Sequence, residues 1–477
     1  MNRTKVFFGI FLLTLSVLML ELSLTRLFSA TMYYHFAFMA VSLALFGSGA
    51  SGVFIYTIQN WLDKANTGRW MSVFSILYAL SLIFALYVIF ENPLVPGGSE
   101  NYFRLVKIYG ATSLPFFFAG CAVTLAITRY ASDISRLYLF DLAGAALGCL
   151  LLIPFLNTFG AINVLIGVGG IGALAAILFS LAERGNFAFT GSAALLVVGL
   201  VGFAVYNNST HTLDIRKSKG RDEKKIHFSK WNSFSRITVQ GDMEKELNIV
   251  IDADAATTIV SDGGNIERHR RDNLGNNISA IAYHLKPTAN VAIIGPGGGL
   301  DVTTALIFDA KKITAVEINP IIARDVMLNE PFKTYNGGIY QHPKVQLEID
   351  EGRSFIRRSS DRYDVLQATM LDTWAATAAG AFSLTENNLY TVEAFKEYAT
   401  HLTDDGIFTM TRWYFEPPDQ LLRLISLTRV MMDELNISNP ERHIILVRDV
   451  STNQEARPQH LFLRRANLPM KKSDRLK

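Results

Sequence analysis

The chain has 477 residues, half of them hydrophobic, a formal net charge of +3 and two cysteines. So small a charge, with no basic stripe interleaved with aromatics in the second half, excludes nucleic acid as a partner. Cys121 and Cys149 both lie inside apolar runs, which excludes a disulfide framework or a zinc site. Nearly all long apolar runs precede residue 207 and most of the charge follows it, so the chain divides into a membrane-like half and a polar half.

A membrane span needs about 20 mostly apolar residues. Seven stretches qualify, at 6–29, 33–59, 70–91, 105–128, 136–156, 160–182 and 187–206, and residues 1–206 are expected to form an all-α transmembrane bundle. The first run continues to Leu27 without a clean small-residue cleavage site and reads as a retained span rather than a signal peptide. Gly144-Ala-Ala-Leu-Gly148 and the cluster Gly47, Gly49, Gly52 have the spacing of close helix contacts. Glu21, Arg26 and Asp141 are ionisable residues within spans; they either neutralise one another or lie near the interface, or they form a polar site inside the bundle. With seven spans the N-terminus and the C-terminal half face opposite sides. The short loops carry seven Lys and Arg on the N-terminal side against three on the other, whereas the basic segment Arg216 to Lys225 suits an anionic cytoplasmic leaflet, so charge counting conflicts with itself.

Residues 207–230 read as a basic linker, and 231–287 as a small β-rich segment followed by a helix. Ser235–Val239 and Leu247–Ile251 flank Gly241-Asp242 as a hairpin, and the helix at 265–285 stops before Pro287. Residues 288–477 alternate strand and helix, with strands at 291–295, 312–318, 345–349, 363–369, 406–412, 443–449 and 460–465.

The most informative stretch is 291–319, VAIIGPGGGLDVTTALIFDAKKITAVEIN. Its short branched apolar run enters a turn at Gly295, Gly297 and Gly299, which let the backbone approach a ligand closely. Asp301 to Phe308 then form a helix whose N-terminus faces that ligand. Glu317, about 20 positions on at the end of the next strand, is placed to accept hydrogen bonds from ribose hydroxyls. The dinucleotide pattern G-x-G-x-x-G requires a third glycine where this chain has Leu300, so the loop is of another type.

This motif, G-P-G-G-G-L-D with Glu317, resembles the first motif of class I S-adenosylmethionine-binding enzymes, and more closely that of the spermidine synthase family. The resemblance covers about residues 230–465, and the fused multi-span half makes the whole chain similar to bacterial membrane-bound spermidine synthase-like proteins. It implies a Rossmann-like, methyltransferase-type α/β domain with a mostly parallel seven-stranded sheet, the small β segment ahead of it, and S-adenosylmethionine or its decarboxylated form as co-substrate, with no metal. It also implies an adenine-binding acid at Glu351-Gly352, with Asp350 adjacent; a helix N-cap is the other reading of that acid.

The family carries two Asp residues three apart after the fourth strand, the first deprotonating the attacking amine. In this chain the second matches Asp372 and the first falls on Thr369, which cannot serve as that base. Asp372 and Tyr390 are therefore the catalytic candidates, with Glu386 behind them, and a positioned base is worth about 10²- to 10⁴-fold. The acceptor-binding tyrosine and acid of the family are replaced by Glu267-Arg268-His269-Arg270-Arg271-Asp272, a run that suits an anionic or zwitterionic substrate or is simply a solvated helix face. Residues 374–383, WAATAAGAFS, read as a lid or as a docking surface.

The resulting expectation is a membrane-bound transferase moving an aminopropyl or methyl group to an amine or other small nucleophile. Its expected partners are a small-molecule substrate and the lipid bilayer, with homo-oligomerisation left open, and its expected location is the bacterial inner membrane with the polar half in the cytoplasm. The alternative is a non-catalytic carrier or sensor regulated by an adenosyl ligand, which the loss of the first Asp favours.

Overall fold

The computed structural model describes residues 2–32, 36, 38–62, 66–95, 98–183, 187–223, 225–233, 235–371, 388–414, 417–448 and 457–464. Six helices make up the N-terminal half: α1 (Arg3–Thr31), α2 (Met39–Ile58), α3 (Thr67–Glu91), α4 (Asn101–Arg129), α5 (Ile134–Leu181) and α6 (Phe187–Thr210). Each contains a window long and apolar enough to cross a membrane. They are apolar on nearly every face.

Six helices stand where seven stretches were read, because residues 136–156 and 160–182 form the two arms of one element, α5, joined without a polar loop. Its helical geometry breaks only at Gly160, with φ 73° and ψ 163°, a conformation open to a residue without Cβ. The break turns the chain back on itself. Arg3 bonds Asp133 at the start of α5, and the Asn2 N–H donates to the Ala182 carbonyl just past its end, at 2.9 Å, so both ends lie beside the start of α1. Gly144 in the first arm packs on the Phe11 backbone, and Phe179 in the second covers Gly9.

Four strands form an antiparallel sheet ahead of the glycine-rich motif: β1 (Ile226–Trp231), β2 (Arg236–Asp242), β3 (Glu246–Ile251) and β4 (Ala255–Ile259). The hairpin read around Gly241-Asp242 is β2–β3, and β1 lies partly in what reads as linker. The helix expected at 265–285 is broken. Its first part is α7 (Ile266–Arg271), which stops because Asn273 adopts the left-handed region (φ 57°), and two 3-10 turns then lead to a short α-helix at Ile281–Leu285.

The strands β5 (Asn290–Ile294), β6 (Lys312–Val316), β7 (Val345–Glu348), β8 (Tyr363–Thr369) and β9 (Leu402–Tyr414) are parallel and adjacent in the order β9-β8-β5-β6-β7. On the β9 edge β11 (Arg457–Arg464) pairs antiparallel, and β10 (Ile444–Arg448) pairs antiparallel with β11. Helices α8 (Leu300–Ile307), α9 (Gly352–Arg358), α10 (Val392–Thr400) and α11 (Asp419–Glu434) fall between strands. Val291, Ile293, Ile313, Ala315 and Val365 are fully buried, since strands covered on both faces carry continuous apolar runs. The order reverses at β5, whose neighbours are β6 and β8, so its carboxyl end opens the crevice in which ligands of such sheets bind.

The two halves meet at defined contacts. Ser218 Oγ donates to the Ala30 carbonyl, and the Lys219 N–H to Thr31 at 3.1 Å. At the α5 turn, Asn157 Oδ1 accepts from the Ser233 N–H at 3.0 Å and Gly160 faces the Trp231 ring.

Candidate active site

A cleft of about 770 Å³ lies at the carboxyl ends of β5, β6 and β8, with β4 across from them, a size suited to a small organic ligand. Its floor is the glycine loop. Gly295, Gly297 and Gly299 have φ of 68°, 49° and 93°, so the loop folds tightly enough to expose its amides. Gly298 lies under β4: its N–H donates to Thr257 Oγ1 at 3.2 Å, its carbonyl accepts from the Val260 N–H at 3.0 Å, and a Cβ there would strike the Thr258 carbonyl. The Tyr340 hydroxyl holds the loop from the other side, donating to the Gly297 carbonyl at 2.7 Å.

Glu317 follows β6 directly and is 4% exposed. Its Oε2 accepts from the Gly297 N–H at 3.3 Å and its Oε1 from the Asn319 N–H at 2.9 Å. Burial pushes the carboxyl up to about 7, and these backbone donors offset part of that rise. Asn319 is tied in turn to the second sheet and the bundle. Its Oδ1 accepts from Asn232 Nδ2 at 2.8 Å and its Nδ2 donates to Ser235 Oγ at 3.1 Å, and the neighbours of Asn232 include the residues that touch the α5 turn.

Asp301, in the first turn of α8, is also 4% exposed and lines the cleft. Burial pushes its carboxyl up to about 6, against the pull of hydrogen bonds from Thr369 and Ser279. Sequence reasoning placed Asp301 near a ligand but missed this network, because Ser279, Gln367 and Thr369 carry no motif of their own.

Gly295, Gly297, Asp301, Glu317, Glu351 and Gly352 all border the cleft. Gly299 instead faces Met327 and Ile339 in the core. Glu351 caps α9, its two oxygens accepting from the Arg353 and Ser354 N–H groups at 3.0 and 2.8 Å, so the capping reading and a place on the cleft wall hold together. Asp350 bonds the Glu351 N–H and Arg358 and is not among the described cleft residues. Tyr390 stands behind the wall, its hydroxyl accepting from Arg412 at 2.9 Å and donating to the Leu371 carbonyl at 3.3 Å. Asp372, Glu386 and residues 374–383 lie outside the described residues. From the arginine run only His269 reaches the cleft. Arg268 faces Asp262 and Asp272, while Arg270 faces Glu267 and Asp309, so these two arginines lie paired on a half-exposed helix face.

Residues 275–429 match the spermine/spermidine synthase domain. A polyamine aminopropyltransferase of Oceanobacillus iheyensis is 24% identical over 182 residues, 38% of this chain and 32% of that one. Another, from Corynebacterium efficiens, is 25% identical over 314 residues, 62% of this chain and 54% of its own length. The chain thus spans about a third to a half of these curated relatives. Among solved structures, a probable spermidine synthase of Corynebacterium glutamicum is similar at 17% identity and a TM-score of 0.37, covering 53% of this chain and 83% of that one.

Proposed function

We propose, from the spermine/spermidine synthase domain at residues 275–429, that the chain is a transferase that binds S-adenosylmethionine or its decarboxylated form and passes a methyl or aminopropyl group to an amine or other small nucleophile. The observation that carries this reading is Glu317: a buried carboxylate at the switch point of a parallel sheet, facing a glycine loop, with lone pairs left to accept from the two hydroxyls of a ribose. Glu351 and Gly352 border the same space and suit the adenine end.

The electrophile is the carbon beside a sulfonium, already activated, so the protein's task is mainly to orient a nucleophile in line with the breaking C–S bond. The bond's electron pair stays on sulfur and leaves a neutral thioether. The attacking amine must first lose a proton at the β8 side of the cleft, and Asp372 follows Thr369 there in sequence. Tyr390 holds the Leu371 carbonyl just past the end of β8.

The six apolar helices favour residence in a bilayer, with the synthase-like half toward the cytoplasm, where adenosyl sulfonium compounds are made. A second reading, a carrier or sensor that binds the adenosyl ligand without turnover, is favoured by the hydrogen bonds from Asn319 through Asn232 toward the α5 turn. Incubating the detergent-purified chain with each donor and a panel of amines separates the two. A transferase releases methylthioadenosine or S-adenosylhomocysteine; a sensor binds donor and releases neither. Absence of binding by both donors and by methylthioadenosine would overturn both.

A further inference from the structure

One edge of the cleft is tied directly to the ends of the apolar helices. Asp254, just ahead of β4, lines the cleft and pairs with Lys219 Nζ at 3.2 Å. The N–H of the same Lys219 donates to the carbonyl of Thr31, the last residue of α1. A single buried lysine side chain therefore reaches from the end of a span-length helix to the cleft wall. A second connection starts at the α5 turn. Asn157 accepts from the Ser233 N–H, and Ser235, two residues on, lines the cleft and accepts from Asn319 Nδ2 at 3.1 Å.

From this edge to the glycine loop the distance is short. Thr257, three residues after Asp254, accepts from the Gly298 N–H at 3.2 Å, and three residues of strand span about 10 Å. Ile251, Ala255, Ala256 and Ile318 border the cleft there, so that end of its wall is largely apolar.

Helix length sets the level of this edge. The 29 residues of α1 span about 44 Å, against about 30 Å for the hydrocarbon core and 40–45 Å for a bilayer with its headgroups. In a bilayer both ends of such a helix lie in the headgroup layers, and the cleft edge tied to Thr31 lies there with them. Ser218 bonds the Ala30 carbonyl at the same end of α1, and the two residues before it, Arg216 and Lys217, are exposed. Cationic side chains at that level attract anionic phosphate. An acceptor dissolved in water gains nothing from this placement. A lipid gains proximity, because its amine is already held at the level of the cleft edge and only its headgroup has to enter.

We propose that the acceptor is an aminophospholipid, a membrane lipid with a primary amine on its phosphate headgroup, which enters the cleft past Asp254 and Ser235 while its acyl chains stay in the bilayer. The inference rests on the transferase reading above and names its substrate class. The headgroup ammonium gives one proton to water, and the freed lone pair attacks the methyl or aminopropyl carbon of the donor. An N–C bond forms, the C–S bond breaks with its electron pair on sulfur, and the products are a secondary ammonium lipid and a neutral thioether. Arg216 and Lys217 supply the charge that attracts the phosphate.

The test uses the full chain reconstituted in phosphatidylglycerol vesicles with and without phosphatidylethanolamine, supplied with S-adenosylmethionine or its decarboxylated form. Mass spectrometry of the extract should find phosphatidylethanolamine carrying the transferred group. Held at the surface, the lipid should react about tenfold faster or more than equal amounts of two soluble amines, glycerophosphoethanolamine, which has the headgroup without acyl chains, and 1,4-diaminobutane. Arg216→Glu with Lys217→Glu should slow lipid transfer about tenfold and leave methylthioadenosine affinity as in the wild type, which reports a folded cleft. Unchanged lipid transfer in that variant overturns the phosphate part of the proposal. The whole proposal is overturned if either soluble amine is modified as fast as the lipid or in its place, and the transferase reading then stands. Donor binding with no acceptor modified overturns the proposal and the transferase reading together, and absence of donor binding is the separate failure of the adenosyl reading.

Discussion

Gly297 and Glu317, twenty residues apart in sequence, meet at the floor of the cleft, where the glycine N–H donates to Glu317 Oε2 at 3.3 Å. The same carboxylate braces the loop and, in the function proposed above, accepts from the sugar. With its carboxyl raised to about 7 from an ordinary 4.5, the empty folded chain holds a proton in that interval which the unfolded chain releases. This group therefore makes the empty domain less stable as pH rises from 4.5 toward 7. A ribose diol needs the ionised form, so its affinity moves the other way. Methylthioadenosine should bind about tenfold more tightly at pH 8 than at pH 6, and Glu317→Gln should flatten that dependence as well as weaken binding. Calorimetry at the two pH values checks both, and a flat wild-type profile would remove Glu317 from the sugar site.

Gly298 has no room for a side chain. A Cβ would strike the Thr258 carbonyl, and β4 cannot retreat because Val260 N–H is bonded to Gly298 itself. Gly298→Ala should lower stability by about 1–3 kcal/mol through overpacking and reduce methylthioadenosine affinity by displacing the loop. A thermal melt with and without methylthioadenosine reads both effects; an unchanged melt would mean that β4 is not fixed over the loop.

How much of this was legible beforehand differs by element. The glycine loop and Glu317 announce themselves because both sit within one contiguous βαβ unit, where spacing along the chain is spacing in space. The turn at Gly160 was legible only in part: hydropathy separates the two apolar arms, but without a polar loop between them only the backbone shows that they join in one element that folds back at Gly160. The helix at 265–285 looked continuous by composition, yet Asn273 and Gly275 break it locally. The donor network on Asp301 draws on residues from 279 to 369, neutral side chains that no local pattern distinguishes. The arginine run was legible as charge but not as direction, since which way a helix face points depends on partners such as Asp309.

Arg236 and Glu223 form an ion pair sealed near the junction of the two halves. They are 2% and 4% exposed, with both carboxylate oxygens within 2.8 Å of Nη1, and the Trp231 ring lies 6.0 Å from the guanidinium. Glu223→Ala strands a buried guanidinium and should cost about 3–5 kcal/mol. Replacing both, as Glu223→Leu with Arg236→Met, removes the charge along with its partner and should recover most of that loss. Thermal unfolding of the three proteins in one detergent measures the difference. A double variant no better than the single one would show that Arg236 matters chiefly through another side-chain contact, such as the bond from its Nε to Ser229 Oγ at 3.3 Å.

The bundle offers the corresponding test of close packing. Gly144 faces the Phe11 carbonyl and Gly148 the Leu15 carbonyl, so the first arm of α5 lies against the backbone of α1, with the Thr14 hydroxyl beside the contact. Backbone cannot rotate out of the way, and an added side chain must push the helices apart. Gly144→Val should therefore lower the melting temperature in detergent and reduce the monodisperse fraction on size exclusion. Gly49→Ala, where a Cβ meets open space, should leave both unchanged. Because the second arm of α5 packs on Gly9 through Phe179, Gly9→Val should reproduce the Gly144→Val defect from the opposite arm. If Gly144→Val melts like the wild type while Gly9→Val does not, then only the arm after Gly160 is held against α1, and the fold-back at Gly160 is not the packing unit described above.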